Sequence, residues 1–126
     1  MKARALRRLP AGMNRTESAY ALVLLAARAA GRVVRYRYEG LRLRLAEATT
    51  YTPDFVVTMA DGTVECHEVK GVRGGRAWVE DDAAVKIKVA AETWPELRFL
   101  LVAQFPSGWQ ARDYSAGGRT WSSLPL

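Results

Sequence analysis

The sequence has almost no cysteine and no long hydrophobic run, and each shortage excludes a class of protein. Its single cysteine, Cys66, excludes an intramolecular disulfide and is typical of a reducing compartment. The longest uncharged apolar run, residues 19–27, is much shorter than the roughly 20 residues of a transmembrane helix. Basic residues precede that run as in a signal peptide, but Pro10 and Glu17 interrupt the pattern. We therefore expect a cytoplasmic protein without a membrane span.

Positive charge is what the sequence has in excess. Nineteen Lys and Arg residues against thirteen Asp and Glu residues give a formal net charge of +6. This balance favours a polyanionic partner, either nucleic acid or an anionic membrane surface. A chain of 126 residues fits one domain whose core needs no disulfide. We therefore predict a single domain over residues 1–126, with a flexible basic arm at residues 1–12 and an aromatic tail at residues 105–126.

Capping signals and apolar spacing predict two helices. Asn14 is a good N-cap and Glu17, three positions later, completes a capping box. The run of helix formers that follows ends at Gly31, which predicts a helix over residues 15–30. A charged start followed by alanines and spaced aliphatic residues predicts a second helix over residues 80–93.

Alternating apolar and polar residues predict most of the strands. The strands at 33–38 and 41–45 are expected to pair through a turn at Glu39 and Gly40, leaving one apolar face and one basic face. A continuous apolar run predicts a strand covered on both faces at residues 97–104. The other expected strands cover residues 52–59, 63–70 and, more briefly, 110–114. The predicted order is helix, four strands, helix, strand.

A candidate active site lies on the hairpin predicted between residues 52 and 70. If residues 60–62 form a three-residue loop with its glycine in the left-handed conformation, counting back along the strands places Asp54 opposite Glu68. Facing residues point to the same side of a sheet with Cβ atoms ~5 Å apart, so the two carboxylates converge. Lys70 shares that face. A two-residue loop would instead set Asp54 against Val69 and separate the carboxylates.

This combination of side chains points to a metal site. Two carboxylates suit Mg²⁺, or Mn²⁺ in its place, and the ion would polarise a phosphate and activate a bound water. Lys70 would then orient that water or stabilise the charge that develops on the phosphate. A zinc site at Cys66 and His67 is not expected, because adjacent residues in a strand point to opposite faces.

The same residues resemble the core of the PD-(D/E)XK nuclease superfamily. The segments YTPDF at 51–55, EVKG at 68–71 and VKIKVAAE at 85–92 are similar to a small phage-encoded branch of it. This resemblance covers residues 13–103. It implies an α/β, restriction-endonuclease-like fold in which helices flank a central mixed β-sheet, and metal-dependent cleavage of phosphodiester bonds.

The resemblance also assigns roles to individual residues. Glu17, Asp54, Glu68 and Lys70 match the four catalytic positions, and the main-chain carbonyl of Val69 joins the two carboxylates of the hairpin as a metal ligand. Glu17 has an alternative role that is purely structural, as the third residue of its capping box. Five cationic residues are expected to contact DNA phosphates: Arg15, Arg35, Arg37, Lys86 and Lys88.

A small basic domain with no sequence-reading module suits the recognition of DNA structure rather than DNA sequence. The order of an acidic first helix followed by a hairpin with two carboxylates is similar to that of archaeal-type Holliday junction resolvases, which are homodimers. We therefore expect a phage-type resolvase, a metal-dependent, structure-selective endonuclease that cuts four-way junctions during DNA recombination in the host cytoplasm. Two alternatives remain: a general nicking or DNA-processing nuclease of phage replication or packaging, and a non-catalytic basic DNA-binding module.

Overall fold

Two α-helices, one short 3-10 helix (Tyr114–Ala116) and ten strands build the part of the chain that the structure, a computed structural model, describes: residues 12–77 and 81–126. Helix α1 covers Arg15–Ala29 and helix α2 covers Asp81–Thr93. The strands are β1 (Val33–Tyr38), β2 (Leu43–Ala46), β3 (Thr49–Tyr51), β4 (Phe55–Met59), β5 (Val64–Lys70), β6 (Val72–Arg73), β7 (Arg76–Ala77), β8 (Arg98–Phe105), β9 (Gly108–Asp113) and β10 (Ser122–Ser123). Of the arm predicted at residues 1–12, all but Gly12 lies outside the described residues.

Helix α1 begins as its capping signals predict. The Glu17 amide donates to Asn14 Oδ1 over 2.8 Å, and the Asn14 amide donates to Glu17 Oε1 over 3.0 Å. Gly31 follows the helix with a φ of 82°, a conformation that glycine adopts without steric cost. The helix predicted over residues 15–30 is confirmed.

A six-stranded mixed sheet lies between the two helices. Its strand order is β1-β4-β5-β8-β9-β10, and only β5 and β8 pair in parallel. Helix α2 lies in the crossover between those two strands, as parallel pairing requires. The prediction of an α/β fold with a central mixed sheet flanked by helices is confirmed at this level.

The hairpin between β4 and β5 has the predicted register. Phe55 pairs with His67 and Thr58 pairs with Val64, and the Met59 amide donates to the Thr63 carbonyl over 2.8 Å. Gly62, the last residue of the loop, has a φ of 91°. The three-residue loop is therefore confirmed.

The predicted pairing of the strands at 33–38 and 41–45 is wrong. Strand β1 pairs with β4, while β2 pairs with β3 in a separate two-stranded sheet. The reason lies in packing, because the apolar side chains of the two strands bury on opposite sides of the sheet. Tyr36 and Tyr38 of β1 pack on the α1 side, and Leu43 of β2 packs on the α2 side.

Two apolar clusters form the core, one on each side of the six-stranded sheet. On the α1 side the largest buried side chains are Tyr20, Leu24 and Phe55, and on the α2 side they include Ile87 and Phe99. Strand β8 contributes to both clusters, which confirms the prediction of a strand covered on both faces. Side chains of β5 alternate between the same two sides.

The predicted aromatic tail adds two strands, β9 and β10, to the edge of the sheet. The ring of Trp109 lies 5.0 Å from that of Tyr20, and Trp121 lies 5.1 Å from Phe105. Both tryptophans are thus packed within the chain. Neither helix of the described residues has the length and apolar character to cross a membrane.

Candidate active site

The carboxylates of Asp54 and Glu68 lie on one face at the end of the β4–β5 hairpin. Asp54 directly precedes β4, and the observed register, continued by one residue, sets it opposite Glu68. The hydrogen bond between Met59 and Thr63 fixes which facing pairs exchange backbone hydrogen bonds. Counting from it, Asp54 and Glu68 form a non-hydrogen-bonded pair, the kind with a Cα separation of about 4.5 Å and the closer side chains.

Pro53 changes the backbone bonding beside this pair. In a regular ladder Pro53 would face Val69 and exchange two hydrogen bonds with it. Proline has no N–H, so it cannot donate to the Val69 carbonyl. The Val69 amide donates instead to Asp54 Oδ2 over 2.8 Å. This bond holds the Asp54 side chain against β5 and leaves the Val69 carbonyl without its ladder donor.

Two contacts orient the Glu68 side chain. The Tyr51 hydroxyl donates to Glu68 Oε1 over 2.7 Å, and Lys70 Nζ lies 3.5 Å from Glu68 Oε2. The Glu68 side chain is 12% exposed and that of Lys70 is 21% exposed. The carboxylate is therefore held in a defined position, while the ammonium remains accessible to a ligand.

The electrostatics of this site disfavour negative charge. Burial first, and then the Glu68 charge, raise the pKa of Asp54 to about 8, against the lowering effects of the Val69 amide and of Lys70. Burial also raises the pKa of Glu68. Without an added cation, Asp54 is therefore largely protonated at neutral pH. A divalent cation placed between the oxygens would offset these shifts, because an adjacent positive charge favours the ionised carboxylates.

Glu17 reaches the same region from α1. A Cβ atom on Gly71 would lie 4.0 Å from Thr16 Oγ1, so the first turn of α1 lies beside the end of β5. Glu17 is 8% exposed, and its charge contributes to the raised pKa of Asp54. The structure therefore brings all four predicted catalytic residues into one electrostatic cluster.

Glu17 has structural partners as well. Its Oε1 accepts from the Asn14 amide over 3.0 Å and from the Tyr38 hydroxyl over 3.0 Å. Burial and the hydrogen bond to Glu17 raise the pKa of Tyr38, which keeps this hydroxyl a donor. The two roles of Glu17 are compatible, because the same carboxylate at the start of α1 accepts the capping hydrogen bond and acts electrostatically on Asp54.

The oxygen ligands fit a hard divalent cation that keeps some of its waters. Among residues 12–77 and 81–126, no group of three or more His, Cys, Asp or Glu side chains is arranged to hold a metal ion. Mg²⁺, however, is commonly bound through one or two carboxylates together with water and substrate phosphate. Asp54 and Glu68 supply two carboxylates, and the register directs the Val69 carbonyl from β5 toward the chain segment that carries Asp54.

The residues predicted to contact DNA lie in two places: four lie on the side of the sheet that carries Glu68, and one lies at the start of α1. Arg35 and Arg37 are exposed and, through their pairing with Thr58 and Val56, lie on the same face of the sheet as Glu68. The α2 lysines also lie on this side, with Lys86 half-buried and Lys88 exposed. Arg15 is exposed at the start of α1. Four of the five cationic residues therefore share the side of the sheet on which Glu68 lies.

His67 belongs to a buried network on the opposite face. Its Nδ1 lies 2.6 Å from the Tyr20 hydroxyl and its Nε2 lies 2.8 Å from Glu65 Oε1. Because a carboxylate accepts, Nε2 donates to Glu65 and Nδ1 accepts from Tyr20. Cys66 packs in the α2-side cluster instead, so the two side chains lie on opposite faces, as predicted.

Two tyrosines of this site, Tyr38 and Tyr51, were not among the predicted site residues. Tyr38 follows the alternation of the strand predicted at residues 33–38 and so reads as core, while Tyr51 directly precedes the strand predicted at residues 52–59. The only signal for Tyr51 is its place in the YTPDF segment, three residues before Asp54. Their hydroxyl groups donate to carboxylates that are distant in sequence. Tyr38 contacts Glu17, which is 21 positions away, and Tyr51 contacts Glu68, which is 17 positions away.

The raised pKa of Asp54 predicts how stability depends on pH in the presence of EDTA. Unfolding returns the pKa from about 8 to its ordinary value of 3.8, so between these values the folded state holds a proton that the unfolded state has lost. The free energy of unfolding should fall as pH rises through this range, by at most about 1.4 kcal/mol per pH unit from this group. Urea titrations from pH 4 to 9 would measure the slope.

Asp54→Asn should flatten that slope, because asparagine does not titrate. Asp61→Asn is the matched control, since Asp61 is exposed in the hairpin loop and its pKa is lowered by hydrogen bonds from Thr63. If both variants keep the wild-type slope, Asp54 is not the group responsible.

Comparison of the chain with known protein families, with characterised proteins and with solved structures finds no match. A functional assignment therefore depends on the residues of this site and their geometry.

Proposed function

We propose that this chain is a metal-dependent DNA endonuclease of the PD-(D/E)XK type. The observation that carries the proposal is the convergence of Asp54 and Glu68 at one end of the hairpin, with Lys70 3.5 Å from Glu68. Burying two carboxylates side by side is costly, and the raised pKa of Asp54 is a sign of that cost. A site for a cation gives this arrangement a chemical purpose.

Asp54 and Glu68 would hold Mg²⁺ or Mn²⁺, with the Val69 carbonyl as a further ligand. When bound, the ion would polarise a phosphodiester and lower the pKa of an attacking water. Tyr51 keeps Glu68 oriented for this role. Burial and the Glu68 charge raise the pKa of the Tyr51 hydroxyl, so it acts as a fixed donor and not as a proton acceptor.

Lys70 would act on the substrate directly. Its ammonium lies on the carboxylate face and is partly exposed, so a phosphate bound beside Glu68 comes within its reach. There it would donate to the phosphate oxygens on which negative charge develops during hydrolysis. Its position two residues beyond Glu68 makes this possible, because both side chains then project from the same side of β5.

The DNA substrate is proposed to be a four-way junction. Cations on the same side of the sheet as Glu68, Arg35 and Arg37 among them, suit contacts with phosphates, which position a protein on DNA without reading its sequence. Two symmetric strands of a junction call for two active sites, and hence for a homodimer. Exposed Leu22 and Leu25, three residues apart on α1, offer apolar area for that contact.

Cleavage assays on three DNA substrates test the proposal. Purified protein is incubated with a synthetic four-way junction, a matched linear duplex and single-stranded DNA, each with Mg²⁺, Mn²⁺ or EDTA. We expect paired, symmetric nicks in the junction with either metal and no cleavage in EDTA. Sedimentation of the same sample should give the mass of a dimer.

Other outcomes distinguish the alternatives. Equal cutting of junction and duplex would reject junction selectivity and favour a general nicking nuclease of phage replication or packaging. Binding to DNA without cleavage of any substrate, with both metals, would reject the enzyme and favour a non-catalytic DNA-binding module.

A further inference from the structure

A cavity lined by cationic side chains lies on the same face of the sheet as the carboxylates. This cavity, of about 410 Å³, opens between the β6–β7 hairpin and the outer part of the sheet. Two arginines, Arg76 and Arg112, line it together with Phe105 and Trp121, and none of the lining residues within the described part of the chain is acidic. The cavity is therefore electropositive and has aromatic walls.

Arg112 lies in this cavity, and no acidic side chain of residues 12–77 or 81–126 pairs with its charge. Among the described residues, its Nε is the only buried side-chain nitrogen or oxygen that makes no hydrogen bond. Its guanidinium carbon lies 4.7 Å from the centre of the Trp121 ring, which in turn packs edge-on against Phe105 at 5.1 Å. The aromatic contacts hold the guanidinium in position, and no carboxylate in the described ranges forms an ion pair with it. Arg112 is only half-buried, so an incoming anion could accept hydrogen bonds from the terminal nitrogens of this guanidinium.

The cavity and the carboxylates are near neighbours. Glu68 pairs with Leu101, and Leu101 pairs with Arg112, so the three residues form one row across β5, β8 and β9 on a single face. Two strand spacings separate Glu68 from Arg112, a distance of about 10 Å. The β6–β7 hairpin, which carries Arg76, begins two residues after Lys70. One nucleic-acid strand can therefore reach both places.

We propose that this cavity binds a backbone phosphate of the DNA strand, next to the one that the carboxylate site cuts. The inference rests on the proposed function, because it names where the same substrate is held. The planar guanidinium of Arg112 would donate to two phosphate oxygens, a geometry that lysine cannot offer. Arg76, exposed on the hairpin, would add a second positive charge at the rim of the cavity.

Binding measured in EDTA tests the cavity independently of cleavage. The fluorescence anisotropy of a labelled single-stranded 12-mer gives Kd over a range of salt concentrations for the wild type, Arg112→Met and Arg76→Met. We expect Arg112→Met to weaken binding by about tenfold, as for one lost charge-assisted pair, and to lower the salt slope by about 0.7. Arg76→Met should have a smaller effect in the same direction. The control, Arg28→Met, removes an exposed charge from the last turn of α1, on the opposite side of the sheet.

Thermal unfolding separates a binding role from a structural one. If Arg112 serves the ligand, replacing its unpartnered guanidinium with a methionine of similar length should leave Tm unchanged or raise it. The proposal fails if both cavity variants bind the 12-mer as the wild type does, or if Arg28→Met weakens binding as much as Arg112→Met. It also fails if Arg112→Met unfolds and Arg76→Met binds normally. Binding that depends on Arg112 in a protein that cuts no substrate would reject the nuclease and retain the cavity.

Discussion

Asp54→Asn is expected to reduce DNA cleavage by about a thousandfold or more, the largest effect we foresee for a single substitution. A divalent cation contributes several kcal/mol to the stabilisation of charge in the transition state, and each 1.36 kcal/mol is a factor of ten in rate. Asparagine removes the charge that would hold the ion but keeps a side-chain oxygen that can accept from the Val69 amide. The fold should therefore survive. Single-turnover cleavage of the preferred substrate, with Mg²⁺ in excess, measures the effect.

The stability of the same variant is informative. Because burial and the Glu68 charge raise the pKa of Asp54, the ionised carboxylate destabilises the metal-free protein above neutral pH. Asp54→Asn should then be at least as stable as the wild type at pH 8, although inactive. Asp61→Asn, which removes the same charge from the exposed hairpin loop, should cut DNA normally. An Asp54→Asn protein that folds and still cuts would exclude Asp54 as a metal ligand.

The position of Asp54 relative to Glu68 could be predicted because it depends on local rules alone. Strand alternation fixes which side each residue faces, and the left-handed Gly62 fixes the loop length and with it the register. A loop shorter by one residue would have separated the carboxylates. The convergence of Asp54 and Glu68 could therefore be predicted from a stretch of fewer than twenty residues.

Long-range pairing could not be predicted in the same way. Alternation showed that residues 33–38 form a strand but not which strand they join, and β1 pairs with β4 rather than with its neighbour in sequence. The choice depends on where Tyr38 and Leu43 bury, on opposite sides of the sheet. The contacts of Tyr38 with Glu17 and of Tyr51 with Glu68 follow from that arrangement. Residues that hold a site in place are therefore harder to predict than those that form it.

Glu17 shows how a local signal can conceal a distant role. The capping box explains its residue type completely, and the structure contains that box. Its burial and its influence on the pKa of Asp54 follow only once the start of α1 is placed beside the end of β5. Helix-capping rules alone do not predict that the start of α1 lies beside the end of β5.

Lys70→Met is expected to lower cleavage by about a hundredfold, the loss typical of removing one preorganised donor from a developing negative charge. Methionine keeps the length of the side chain and loses its charge, so DNA binding measured in EDTA should weaken only by the loss of one phosphate contact. The charge of Lys70 also lowers the pKa of both Asp54 and Glu68. Without it, the pH at which cleavage reaches half its maximum should move upward.

Lys70→Arg separates charge from geometry in this prediction. It restores the positive charge two residues beyond Glu68, so the pH profile should return toward that of the wild type. Its rate should stay below the wild-type rate, because a planar guanidinium cannot occupy the position of the compact ammonium. A shifted pH profile in Lys70→Met that Lys70→Arg corrects would mean that the lysine acts on the carboxylates as well as on the phosphate. Wild-type rates and an unshifted profile in Lys70→Met would instead leave the ion pair with Glu68 as a structural contact only.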